Sequence, residues 1–232
     1  ELAASFLNGV TLEGGEALSF NKTVGERTAA RGFKEAKIIQ SGEFISGVGG
    51  GVCQASTTLF NAALLSGLNV TERRNHSLSV SYVPASRDAA VSSRCDLKIV
   101  NPFAYPVYLR AVCAGKRITV TFYGTRSRRT YALCGKITGR TPPPEAEEKK
   151  LSAKEAAGLP ADGEGRIWLR APKEGIKSVL YRETYENGRL ICREKLFSDS
   201  YAPVRGIYGV AVKKAEVAAG KTEENGEEKD AP

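Results

Sequence analysis

The 232-residue sequence contains no methionine, one histidine and one tryptophan, and its five cysteines form no Cys-x-x-Cys pair. Each absence narrows the chemistry. Without Cys and His at ligand spacing, a zinc site of the usual type is not expected, and no metal or cofactor is required. A single histidine leaves His76 as the one imidazole able to serve as a base near neutral pH. No run approaches the roughly 18 apolar residues of a membrane span, and no charged segment followed by an apolar stretch and a cleavage site opens the chain. The start Glu1-Leu2-Ala3-Ala4 and the lack of methionine read as a processed or excised piece, with any targeting signal or membrane anchor expected upstream.

What is present supports a folded protein of basic character. Hydrophobic residues make up 41% of the chain, enough for a sizeable core, which excludes disorder of the whole. The net charge of +8 is uneven: residues 1–143 hold 18 Lys plus Arg against 9 Asp plus Glu, and the remainder holds 16 against 17. A basic first part favours anionic partners such as wall polymers, anionic lipid or carboxylate-bearing peptides. Nucleic acid is not expected, because no helix-turn-helix, zinc-ligand or stacking-aromatic pattern accompanies the charge. The odd cysteine count leaves at least one free thiol in any fully paired monomer.

Leu2 to Val10 is helix-permissive, Gly14-Gly15 marks a turn, and short elements and loops are expected as far as Phe44. Four glycines within Gly47 to Gly51 then precede a stretch, Ser56 to Leu65, with the apolar spacing of a buried helix closed by Gly67. Strands are expected at Leu78 to Val83, Leu97 to Val100, Val107 to Cys113 and Ile118 to Tyr123, the last two joined around Ala114-Gly115-Lys116. The fold class is therefore α+β, a central helix packed on an antiparallel sheet over residues 1–140, followed by a small all-β domain. A Pro-stiffened, charged linker is expected at 141–159 and the all-β module at 160–214, with strands at Ile167 to Leu169, Lys177 to Tyr185 and Leu190 to Lys195 about a Glu186-Asn187-Gly188 turn. A polar tail, 215–232, reads as disordered.

The loop-to-helix junction is the expected functional centre. A cysteine in the first turn of a helix lies where amide N–H groups point outward and the helix dipole favours a thiolate, so Cys53 reads as a nucleophile. The amides of Cys53 and Gln54 could donate to an oxyanion. A helix from Cys53 to about Ser66 rises roughly 20 Å, and an extended return from about Asn69 regains that in roughly six or seven residues. That brings the chain level with Cys53 near Asn75 to Ser77, the register of a Cys53/His76 pair. For the group that orients the imidazole, a hairpin about Pro84 to Arg87 would place Asp96 opposite His76, with Asp88 as the competitor and Asn75 also possible. The expected substrate-binding positions are Gly50, Gly51, Gln54, Ser56, Asn75 and Tyr82. A purely structural reading also accounts for glycines that permit close packing and for a cysteine that is a small buried hydrophobe. The cluster Arg126, Arg128 and Arg129 is read as a solvated domain edge.

The stretch from Gly49 to Leu68, with Glu72-Arg73-Arg74-Asn75-His76-Ser77, Ser81-Tyr82-Val83-Pro84, Asp88-Ala89 and Asp96-Leu97, resembles the VanW family, named from vancomycin-resistance clusters. The resemblance runs from about Ser5 to Tyr123 and includes Leu18 to Asn21 and Val24 to Thr28. It implies a bacterial, extracytoplasmic, usually membrane-anchored protein, often preceded by a peptidoglycan-binding-type domain, and its Cys, His and Asp positions fall on Cys53, His76, Asp88 and Asp96. Tyr181 to Gly188, with Arg193-Glu194 and Tyr201 to Pro203, is similar to the small glycine-named β module of wall-active proteins. Two functions follow as expectations: a cysteine hydrolase or transpeptidase-like domain acting on peptidoglycan peptides, or a non-catalytic module binding peptidoglycan or another anionic wall component.

Overall fold

The computed structural model describes residues 1–40 and 43–211; the expected disordered tail lies outside the described residues. In chain order the elements are α1 (Leu2–Leu7), β1 (Thr11–Leu12), β2 (Ala17–Ser19), α2 (Phe20–Val24), a 3-10 turn (Ala29–Arg31), β3 (Glu35–Gln40), β4 (Glu43–Val48), α3 (Val52–Leu65), β5 (Asn69–Glu72) and β6 (Lys98–Val100). They continue with β7 (Val107–Ala114), β8 (Arg117–Tyr123), β9 (Arg129–Thr141), β10 (Glu147–Leu151), α4 (Ala153–Ala156), β11 (Ile167–Arg170), β12 (Gly175–Glu186), β13 (Arg189–Tyr201) and β14 (Ile207–Ala211). The class is α+β, with few helices, several antiparallel sheets and a small all-β part towards the C-terminus.

The long helix α3 is the frame of the first unit. Its apolar residues Val52, Ala55, Leu59, Phe60, Ala63 and Leu64 are buried in the main core, so it leans on packing more than on propensity. A second row, Cys53, Ser56, Thr57 and Asn61, recurs at the spacing of one helix face and meets a loop rather than a sheet. Gly67, at φ 79°, closes the helix: the Leu68 amide donates to Ala63 O at 3.0 Å and the Gly67 amide to Leu64 O at 3.2 Å. The chain then returns along β5, which packs with β8 against α3, and β5 pairs antiparallel with β6. The β7–β8 hairpin turns on Gly115 and Lys116, both at positive φ, as the Ala114-Gly115-Lys116 signal requires.

Three expectations change. Residues 78–83 form no strand, because the chain leaves extended geometry after the Arg74–Ala90 bridge and runs as irregular loop to Arg87. The stretch expected as a linker carries β10 and α4, the latter closed by a Ser152/Glu155 capping box that its composition supports. The packing also divides the described residues differently from the composition: one compact unit is Glu1–Arg140 with Gly175–Ala202, the other Thr141–Glu174 with the described residues from Pro203 onward. The long β12–β13 hairpin thus belongs with the first unit. It turns at Asn187 and Gly188, φ 51° and 78°, where sequence placed the turn. Its Leu180 is fully buried in the main core, and Phe197 meets Phe60 edge-on at 5.6 Å.

In the second unit β14 is the middle strand, parallel to β10 and antiparallel to β11. Asp162 ties its loop together, accepting from the Arg166 amide at 3.0 Å, from Trp168 Nε1 at 2.9 Å and from Arg166 Nε at 2.9 Å. These donors, the Arg166 amide foremost, hold its carboxyl down at about 2.

Candidate functional site

Gly51, at φ 82°, is the residue that lets the glycine loop turn into α3, and Cys53 follows in the helix's first turn. The two amides expected to face an oxyanion are not equivalent. The Gln54 amide donates to Gly51 O at 3.1 Å, whereas the Cys53 amide has no acceptor among the described residues. That single N–H, at the positive end of α3, is the one available to a developing negative charge.

The polar row of α3 is a dock for the segment 87–91. Ser56 Oγ donates to Ala89 O at 2.6 Å, the Ala89 amide donates to Thr57 Oγ1 at 3.0 Å, and Asn61 Nδ2 donates to Arg87 O at 2.7 Å. Cys53 Sγ approaches Val91 O at 3.7 Å at the end of the same row. Ser56 is fully buried in these contacts, which tie α3 to the segment 87–91.

The return segment brings His76 close enough to Cys53 for each to act on the ionisation of the other. His76 Nδ1 donates to Asp88 Oδ2 at 2.6 Å, and the His76 amide donates to the same oxygen at 2.7 Å. With Nδ1 committed to the carboxylate, Nε2 is the nitrogen left for the thiol. The orienting group is therefore Asp88 and not the register-based choice Asp96. The reason is the Arg74–Ala90 bridge: two residues on, His76 stands opposite Asp88, because no hairpin at 78–83 intervenes. Asp96 instead accepts from Ser19 Oγ at 2.5 Å, from the Asn21 amide at 2.8 Å and from the Leu97 amide at 2.8 Å, which secures the start of α2. Asp96→Asn should accordingly lower the melting temperature while leaving the reactivity of Cys53 unchanged, a separation that paired melting and alkylation measurements read directly.

Electrostatics turn the three groups into a charged relay. Burial alone would raise the Cys53 thiol, but the His76 hydrogen bond, the Val91 carbonyl contact and the positive fields of His76 and Arg27 outweigh it and lower the thiol. For His76 burial acts downward, and the bonds to Asp88 and Cys53 overcome it, raising the imidazole to about 9. Asp88 is held below the usual carboxylate range in spite of burial by His76, by Tyr201 and by the Arg73 guanidinium. A lowered thiol beside a raised imidazole favours passing the thiol proton to His76.

Four residues of this site were given no role from the sequence. Arg27, whose guanidinium is held by Asn21 Oδ1 at 3.0 Å, contributes positive field at the sulfur. Arg73, 1% exposed, bridges Asp88 at 3.1 Å and Asp199 at 2.6 Å and lies between the rings of Phe60 and Phe197. Tyr201 donates to Asp88 Oδ1 at 2.5 Å. The Glu-Arg-Arg run before His76 is the only hint of Arg73, and nothing near Cys53 in sequence points to Asp199 or Tyr201.

The remaining candidates separate by exposure. Asn75 Nδ2 donates to His76 O and to Ser200 O, both at 2.9 Å, which makes it a backbone tie. Tyr82, 40% exposed, stands edge-on to the His76 ring at 6.5 Å. Burial and the charges of Cys53 and Asp88 push its phenol up to about 12, so it stays neutral. Gly50, Gly51 and Gln54 are exposed and line a cleft of about 320 Å³ together with Lys34, Lys116 and Arg117. Cys53, His76 and Asp88 do not line that cleft. All five thiols are free, and among the described residues no group of His, Cys, Asp or Glu could hold a metal ion.

The sequence profile of the family described as VanW like protein matches residues 1–123. The chain is 45% identical over 111 residues to the uncharacterized protein YoaR of Bacillus subtilis (strain 168), a match covering 47% of this chain and 37% of that protein. It is 32% identical over 107 residues to the vancomycin B-type resistance protein VanW of Enterococcus faecalis (strain ATCC 700802 / V583), covering 44% and 39%. It thus spans less than two fifths of the length of these relatives. Among solved structures, the G5 domain HP0197-G5 matches with 18% identity and TM-score 0.16, over 36% of this chain and 99% of that one. The IgA1 protease G5 domain matches with 18% identity and TM-score 0.18, over 38% and 96%.

Proposed function

The chain belongs to the VanW family, and from that premise and the geometry around Cys53 we infer a cell-wall-associated, extracytoplasmic protein whose Cys53 centre carries out acyl transfer on peptidoglycan peptides. The observation that carries this reading is the buried His76–Asp88 pair beside Cys53, with the thiol lowered and the imidazole raised. A structural cysteine has no use for a buried imidazole that is itself held by a buried carboxylate. In the first step the Cys53 thiolate attacks an amide carbonyl carbon, a C–S bond forms, and the Cys53 amide receives the oxyanion. The C–N bond then breaks as His76 Nε2 passes its proton to the leaving amine, leaving a thioester. Water, deprotonated by His76, releases an acid; an acceptor amine in its place forms a new amide. The first outcome is a hydrolase and the second a transpeptidase. No helix among the described residues is long and apolar enough to cross a bilayer.

A second reading, a non-catalytic wall-binding module, draws on the cleft that joins Gly50 and Gly51 to Lys34, Lys116 and Arg117, a suitable seat for an anionic group. Site-resolved alkylation followed by mass spectrometry decides whether the thiol is activated at all. At about pH 6 an ordinary thiol is well under one per cent thiolate, so Cys53 should label about tenfold or more faster than Cys95, Cys113, Cys134 and Cys192, even after allowing for the lower nucleophilicity of a stabilised thiolate. His76→Ala should erase the difference. Equal labelling of all five in the wild type would remove the enzymatic reading and leave the module.

A further inference from the structure

The hairpin β12–β13 lies beyond the residues that the family profile matches, yet it packs against both segments that hold the His–Asp pair. On the His76 side, the Ala202 amide donates to Ser77 O at 2.8 Å, and Ser200 O accepts from Asn75 at 2.9 Å. On the Asp88 side, Ser178 and Ser86 share a hydroxyl contact at 2.7 Å. Tyr201 reaches furthest. Only 2% exposed, its hydroxyl accepts from the Ser86 amide at 2.7 Å and donates to Asp88 Oδ1, while Oδ2 holds His76. Asp199, two residues earlier on the same face of β13, takes one arm of Arg73, whose other arm is on Asp88.

We propose that the β12–β13 hairpin completes the Cys53 centre, with Tyr201 as the positioning residue that fixes the Asp88 carboxylate so that His76 is aimed at Cys53. The proposal rests on the acyl-transfer reading above. The physical argument is one of shared oxygens. Asp88 Oδ1 has two donors, Tyr201 and Arg73, pulling from different directions; with the phenol gone, the carboxylate is free to turn towards the guanidinium, and the Ser86 amide loses its acceptor. Both changes loosen the 86–88 segment from His76. Outer groups that hold the orientation of a working side chain commonly carry a ten- to hundredfold share of its effect. Residues 1–123 alone would then form the thiol and its base but not hold them in line.

The test is the pH profile of Cys53 alkylation in the full chain, with the melting temperature followed in parallel. Tyr201→Phe keeps the ring and removes the hydroxyl. It should slow labelling at about pH 6 by about tenfold or more and move the midpoint up towards an ordinary thiol. Asp199→Asn, which frees Arg73 to draw Asp88 away from His76, should shift the profile the same way and serves if Tyr201→Phe fails to fold. Ser178→Ala touches the hairpin contact without touching Asp88 and should leave the midpoint in place whatever it does to melting. A Tyr201→Phe profile that is unchanged or faster overturns the proposal, as does a Ser178→Ala shift of equal size, which would mean general loosening. These outcomes are distinct from failure of the acyl-transfer reading, in which the wild-type Cys53 itself would label no faster than the other thiols.

Discussion

Cys53→Ala should abolish release or exchange of amide-linked product from peptidoglycan fragments while leaving binding of those fragments unchanged. Removing a nucleophile that works as one unit with its base typically costs as much as removing the whole assembly, on the order of 10⁶ in kcat. His76→Ala should cost a similar factor, because it breaks the same unit from the side of the base. The pH dependence has a definite sign. Activity should rise with the lowered Cys53 ionisation and fall again near 9 as His76 loses the proton it must give to the leaving amine. Because each group shifts the ionisation of the other, both limbs belong to the pair. Chromatography of the products separates the two outcomes of the thioester: a free acid marks hydrolysis, a new amide marks transpeptidation. Equal product from wild type and Cys53→Ala would sink the catalytic reading, and equal binding without product in both would favour the module.

How much of this was legible in sequence follows from which interactions are local. The glycine loop, α3 and its Gly67 stop are written in spacing and turn chemistry, and the rise of a helix against that of a strand sufficed to bring His76 back to Cys53. The same arithmetic failed one step later. Leu78 to Val83 alternates like a strand, and treating it as one carried the partner register on to Asp96; the loop that actually follows His76 needs no ladder, because segment 87–91 bonds instead to Ser56, Thr57 and Asn61 on α3. Those three polar residues, in register with Cys53 on one face of α3, were the available clue that a loop and not a sheet covers that face. Tyr201 and Asp199 were out of reach for another reason. Their partners lie 113 and 126 residues away, and Lys177 to Tyr185 reads as an ordinary half-buried strand whether it packs on its own module or on someone else's. The Pro-Pro-Pro boundary drew the eye to a division at residue 141 that the hairpin crosses.

The largest effect on stability should come from Arg73, not from any member of the relay. Its side chain is 1% exposed, as is that of Asp88, and Asp199 beside it is 6% exposed with one carboxylate oxygen, Oδ2, lacking a hydrogen-bond partner. Arg73→Met fills similar space but leaves two carboxylates facing each other in the interior with no cation between them. Breaking a buried ion pair from one side costs about 3–5 kcal/mol, more than the pair contributes over an apolar replacement, because the abandoned charge has lost its solvent. Urea unfolding should therefore show a markedly lower midpoint at an unchanged slope. Adding Asp199→Asn to Arg73→Met should recover part of the loss, since it removes one of the stranded charges, and the double variant measures the coupling. The pH dependence separates the two proteins. In the wild type Asp88 is depressed, so its contribution is present above its unfolded value and is lost as pH falls through the folded one. In Arg73→Met the His76 and Tyr201 bonds still lower Asp88 but the share due to Arg73 is gone, so the variant loses less stability in acid than the wild type does. The gap between the two proteins should narrow steadily from neutral pH towards about pH 4. A gap under about 1 kcal/mol at neutral pH, or one that widens in acid, would mean that these groups are solvated and that the hairpin is held by its apolar face alone.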